Sequence, residues 1–224
     1  MKKVWLGSLS FLLGIALVGC GSGPSQSRFR VVNASPDAPN LDIFLDGVRI
    51  RADLPYRSGI AYQKAQPGSR HLVMNSTGTT TALLDLATTF NAKQDYTVLA
   101  VDLLASIAPL VLTDDNTAPS SGNARLRIVH AAPSAGPVDI YITAPGADIS
   151  TATPTLSGVA FKSVSDYMTE AAGTYEMRLT PAGSKLVIET GTITLTDGQV
   201  RTALTLDAPL GGFPFSVLLL QDLK

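Results

Sequence analysis

RFRVVNASPDAPNLDIFL (28–45) returns as RLRIVHAAPSAGPVDIYI (125–142), and that return decides the fold. Apolar and polar residues alternate in both copies. Phe29 and Val31 fall on one side and Arg28 and Arg30 on the other; Leu126 and Ile128 repeat the pattern against Arg125 and Arg127. Leu41, Ile43 and Leu45 then alternate with Asp42, Phe44 and Asp46, as Val138, Ile140 and Ile142 do with Asp139 and Tyr141. A period of two marks strands with one buried face.

The repetition continues in the same order. SGIAY (58–62) matches SGVAF (157–161), PGSRHLVM (67–74) matches AGTYEMRL (172–179), and DYTVLAVD (95–102) matches VRTALTLD (200–207). A period near ~100 residues is too long for a solenoid unit and suits a small sandwich. Asp46-Gly47, Pro67-Gly68 and Asp197-Gly198 supply turns. Spacing of the turns gives about seven strands per repeat. TDDNTAPSSGN (113–123) is polar and aperiodic, so it is the natural connection. The expectation is an all-β protein of two tandem immunoglobulin-like or transthyretin-like β-sandwiches. The first repeat is set at 28–113, the linker at 114–124 and the second repeat at 125–224.

The N-terminus has the parts of an export signal. Lys2 and Lys3 precede an apolar run from Val4 to Val18, which ends in LVGC (17–20). A membrane-spanning helix needs about 20 apolar residues, and this run turns polar sooner, at GSGPSQS (21–27). Cys20 is the only cysteine, so no disulfide can form within the chain. LVGC resembles a bacterial lipobox. That resemblance implies a signal peptide over 1–19, lipidation of Cys20 and a tether over 20–27. The membrane is then a partner through the acyl chains, each buried methylene adding about 0.8 kcal/mol. Gly21 follows Cys20 where an Asp would favour inner-membrane retention, so the expected location is the cell envelope, at the outer membrane where the organism has one.

The opening strands of both repeats, with LSGVAFKSVSDYMTEAAGTYEMRLTPAGS (156–184), resemble the bacterial domain of unknown function 4397 family. Members open with an RVVHASPDAP-like strand and carry a PAGTY-like hairpin; QKAQPGSRHLVM (63–74) departs from that hairpin. The resemblance implies an exported tandem β-protein and no particular activity.

Composition narrows the function. A net charge of −1 with 16% charged residues gives no basic surface for nucleic acid. His71 and His130 are the only histidines, and no G-x-S-x-G elbow or Gly-rich phosphate loop is present, so catalytic residues, metal ligands and cofactors are all expected to be none. Asn33 stands where His130 stands in the second repeat, which suits a side chain bonded to a turn. Asp42 and Asp139 recur, as do Asp102 and Asp207; with Asp37 and Asp46 they form the calcium alternative, set against the expectation of solvent-facing positions. Asp114 and Asp115 are expected to be solvated, and Phe44 and Tyr141 to pack against the other repeat or to stack on sugars. The functional expectation is a non-catalytic binding or structural protein with a protein or glycan partner. The alternatives are a small hydrolase using His130 and a neighbouring Asp, and a subunit of a larger surface assembly.

Overall fold

The computed structural model describes residues 26–223. The signal segment and Cys20 lie outside the described residues. Among the described residues no helix is long and apolar enough to cross a membrane. The first repeat contains β1 (Ser27–Asn33), β2 (Leu41–Leu45), β3 (Val48–Leu54), β4 (Ser58–Gly59), β5 (Gln63–Ala65), β6 (Gly68–Ser76), β7 (Ala82–Phe90), β8 (Asp95–Val101) and β9 (Ala108–Asp114). The second contains β10 (Asn123–His130), β11 (Val138–Thr143), β12 (Leu156–Val159), β13 (Met168–Ala171), β14 (Gly173–Pro181), β15 (Glu189–Leu195), β16 (Val200–Leu206) and β17 (Ser216–Leu223). Strands occupy residues 114, 123 and 124, so the strand-free connection is 115–122.

Each repeat is a sandwich of two sheets, and the strand order is the same in both. One sheet runs β3-β2-β6-β7 and its counterpart β12-β11-β14-β15. The other runs β4-β1-β8-β9, with β5 also on β1, and its counterpart runs β13-β10-β16-β17. The parallel pairs are β1 with β8 and β10 with β16. The strands number nine and eight rather than seven: each sheet orders four strands, and in the first repeat the segment beside β1 is divided into β4 and β5. In the second repeat the same segment is the single bridge Val129–Val164 followed by β13.

Alternation drives this assembly. Phe29, Val31, Leu41, Ile43, Leu72, Met74, Phe90 and Val98 fill the first sandwich. Leu126, Ile128, Val138, Ile140, Met177, Leu179 and Ile193 fill the second. The Asp46-Gly47 hairpin takes positive φ at both residues (49° and 81°), the geometry a two-residue turn requires. A third core lies between the repeats. It joins Val32, Ala34, Leu99, Val101 and Leu112 to Val129, Ala131, Leu204 and Leu206. The β1-containing sheet of one repeat therefore lies face to face on the β10-containing sheet of the other. The side of β1 and β10 that carries Arg30 and Arg127 faces this seam, and both arginines are buried.

Candidate functional site

The seam is built from crossed pairs related by a pseudo-two-fold axis. Arg30 on β1 forms a salt bridge with Asp222 on β17, and Arg127 on β10 forms one with Asp114 on β9 at 2.6 Å. Each guanidinium also reaches a threonine hydroxyl of its own sheet, Arg30 Nε to Thr97 at 2.8 Å and Arg127 Nε to Thr202 at 3.1 Å. Each donates to a carbonyl of the other repeat, Gln221 at 2.9 Å and Thr113 at 3.1 Å. Thr97 donates to Asp114 and Thr202 to Asp222, both at 2.6 Å. The Tyr62 hydroxyl donates to Asp114 at 2.6 Å and that of Tyr167 to Asp222 at 2.9 Å. The tyrosine rings lie under the arginines, at 4.8 Å for Arg30 on Tyr62 and 4.6 Å for Arg127 on Tyr167. Arg30, Arg127, Asp114 and Asp222 thus each have both a counter-ion and neutral hydrogen-bond partners, which burial demands. Burial opposes the Arg30 charge, and Asp222, Tyr62 and Asp114 outweigh it, so its pKa is raised. Burial pushes the Tyr62 and Tyr167 phenols well above their usual range.

This geometry corrects two readings of the sequence. Asp114 is not solvated; it is a buried counter-ion. The match of SGIAY to SGVAF is out of register. Arg57 N donates to Asn33 O and Ile60 N to Val31 O, whereas Lys162 N donates to His130 O and Ser165 N to Ile128 O. Arg57 and Lys162 both adopt positive φ, 60° and 68°. The true match is YRSGIAY (56–62) with FKSVSDY (161–167), which aligns Tyr62 with Tyr167. It also shows that crossing continues: Arg57 and Tyr56 donate to Asp207 O, at 2.5 and 2.8 Å, while Lys162 pairs with Asp102 at 3.0 Å. Burial raises the Tyr56 phenol to about 12.

The repeated aspartates of β2 and β11 are buried rather than solvent-facing. Asp42 accepts from Asp53 N, the Thr77 hydroxyl and Gly78 N. Asp139 accepts from Gly158 N and Gly183 N, at 2.7 and 2.8 Å. These donors hold neighbouring strand ends to the central strand, and each carboxylate oxygen of Asp139 accepts one of them. Asp53 N is the largest cause of the lowered Asp42 pKa. Asp37 accepts from Leu104 N, and Asp46 from His71 N and Arg70.

His130 and Asn33 do play one role. Asn33 Oδ1 accepts from Ser35 N at 3.3 Å, and His130 Nδ1 accepts from Ala132 N at 3.4 Å. His130 also meets the Thr205 hydroxyl through Nδ1 and Gly136 O through Nε2, so both ring nitrogens are engaged within the protein. Burial lowers its pKa. A hydrolase would need one of those nitrogens turned toward substrate. His71 is exposed and paired with Asp85 at 2.5 Å. Tyr141 is buried in its own repeat beneath Lys185, whose ammonium is 2.9 Å from its hydroxyl, so it packs against neither the other repeat nor a ligand. Phe44 is half-buried on β2, likewise outside the core between the repeats.

Connections 34–40, 102–107, 131–137 and 207–215 gather at the end of the seam away from Ser27. Leu210 N donates to Pro36 O, and Ser134 N and Gly212 N donate to the buried Asp207 carboxylate. A Cβ on Gly211 would lie 3.3 Å from Leu103. Leu103, Leu104, Leu210 and Phe213 are exposed here, the last two at 83% and 71%.

No curated protein matches this chain in sequence. Among solved structures, it is similar to a family 26 carbohydrate-binding module of Eubacterium rectale in complex with maltoheptaose. Identity is 12%, with 85% of this chain and 95% of that one covered, at a TM-score of 0.29. A streptococcal virulence factor described by its alpha-glucan binding is 14% identical over 75% of this chain and 88% of its own, at 0.25. A putative cell adhesion protein of Bacteroides eggerthii is 8% identical over 88% and 95%, at 0.22. Superposition at that level says nothing about a ligand of this chain. The family described as domain of unknown function (DUF4397) matches residues 27–141, which take in all of the first repeat with β10 and most of β11, and the chain belongs to that family.

Proposed function

We propose that this chain is a lipid-anchored, non-catalytic binding module of the bacterial cell envelope. The observation that carries the reading is the apolar end of the seam. Leu210 and Phe213 stand exposed on the 207–215 connection, which Leu210 N holds to Pro36 O of the other repeat. A rigid frame with exposed apolar loops is the usual arrangement of a binding end. The LVGC segment supports anchoring at Cys20, and the tether would then enter at Ser27, the opposite end of β1. The partner surface, protein or glycan, is met at the end pointing away from the membrane. The exposed Phe213 ring can pack on either.

Two measurements test this. Acyl labelling and fractionation should place the wild type with membranes and leave Cys20→Ser unlabelled, and either released or uncleaved. The soluble chain from residue 21 should be retained saturably by envelope material of the source organism. The combined Leu210→Ser and Phe213→Ser variant should lose most of that retention at an unchanged melting temperature. Equal retention of wild type and variant would end the proposal for this site, and a Cys20→Ser protein that is processed and still membrane-bound as well as wild type would end it for the anchor.

A further inference from the structure

The pseudo-two-fold axis has one conspicuous exception. In the second repeat Arg125, at the edge of the seam, is covered by the connection that follows β9. Its guanidinium donates to the carbonyls of Asp115 and Thr117, at 3.3 and 3.0 Å, and pairs with the Asp115 carboxylate at 2.7 Å. That contact with Arg125 is the largest cause of the lowered Asp115 pKa. Arg125 sits 4.9 Å above Tyr167, and the matching arginine of the first repeat, Arg28, sits 5.2 Å above Tyr62. Among the described residues no such segment lies over Arg28. A groove of about 550 Å³ opens instead, between residues 59–62 and β17, with Val32, Ile60, Leu219 and Leu220 in its lining and Arg28 and Tyr62 beside them. The Arg28 side chain is 46% exposed against 17% for Arg125.

We infer that this groove is a docking site for an extended, acidic polypeptide segment of a partner protein. The chain itself supplies the template: at the matching position of the second repeat, such a segment is already bound. Arg28 keeps donor capacity for it. Nε and Nη2 are turned to Asp95, and among the described residues Nη1 has no protein acceptor. Val200 stands in the place of Asp95 in the second repeat, so Arg125 has no acceptor there and turns wholly to the linker. β17 and the β4 segment are both edge strands, which offer unpaired backbone groups to an added strand. Charge complementarity then selects a segment bearing a carboxylate, held by charge-assisted hydrogen bonds. This site lies apart from the apolar loop end and does not depend on the anchor.

The probe is a fluorescent peptide copying residues 113–119 (TDDNTAP), titrated into the soluble chain from residue 21. Saturable binding is expected. It should weaken by roughly fivefold or more, the size of one lost charge-assisted contact, in Arg28→Glu and in a peptide with both aspartates changed to asparagine. Ala61→Trp, which fills the groove from an exposed position, should weaken it as well. Thermal melts establish that both variants remain folded. Absence of saturable binding, or binding indifferent to Arg28→Glu and Ala61→Trp alike, overturns the proposal. Binding only by a chain beginning at residue 26 would make residues 21–25 the occupant and overturn the assignment to a partner.

Discussion

His130 is the clearest case of one position solved with two residue types. It and Asn33 each accept the N–H of the residue two further along, which fixes the turn that leaves β10 or β1. The histidine adds a titration that the asparagine lacks. Burial lowers its folded pKa below the unfolded value. Between those two values the unfolded chain binds the proton and the folded chain does not, so stability rises with pH. The contribution is fully present above the unfolded pKa of about 6.5 and is lost as pH falls below it, by up to ~1.4 kcal/mol per pH unit. Denaturant titrations between pH 7.5 and 5 should show that loss, and His130→Asn should flatten it. An unchanged slope in His130→Asn would show that the imidazole is not the group responsible.

At the scale of elements, β9 and β17 hold the seam together. Asp222→Asn leaves Arg30 buried without its counter-ion, and an uncompensated buried charge costs ~3–5 kcal/mol. Melting should fall by roughly 10 °C, at about 2–4 °C per kcal/mol for a chain of this size. Adding Arg30→Met should restore much of the loss; failure to recover would mean that Thr97 and Gln221 need the guanidinium more than the guanidinium needs Asp222. Little of this was legible in the sequence. Alternation in β1 and β10 revealed strands, and the faces carrying Phe29 and Leu126 are indeed the sandwich cores. An arginine on the opposite face reads the same whether water or a distant carboxylate receives it, and Asp222 lies 192 residues from Arg30. PLVLTD (109–114) and SVLLLQD (216–222) are also counterparts, but short continuous apolar runs carry no period to align. The shared SG of SGIAY and SGVAF drew the match away from the positive-φ residues Arg57 and Lys162, which only backbone geometry reveals.

On the scale of the whole molecule, the two repeats pair much as identical subunits do across a two-fold axis: Arg30 meets Asp222 and Arg127 meets Asp114. The second repeat carries both halves of that contact, Arg127 and Asp222, together with the apolar Val129, Leu204, Leu206, Leu218 and Leu220. Residues 123–223 expressed alone should therefore form a symmetric dimer, with Arg127 of each copy against Asp222 of the other. Sedimentation equilibrium reads the mass directly. Arg127→Asp should make the fragment monomeric or insoluble; a stable, soluble wild-type monomer would contradict the prediction.

The arrangement of β1 and β17 also bears on how the protein is made. Synthesis proceeds from the N-terminus, so β1 exists long before its counter-ion does. Until the final strand arrives, Arg30 and the apolar face around Val32 and Leu99 have no cover. The contact between Arg30 and Asp222 spans 192 residues, and such non-local contacts form slowly. A ribosome that stalls before residue 222 releases a product whose first sandwich is intact but whose seam is bare. Such a product is distinguishable from the finished protein by its sticky face alone, which gives proteases a physical criterion for completeness.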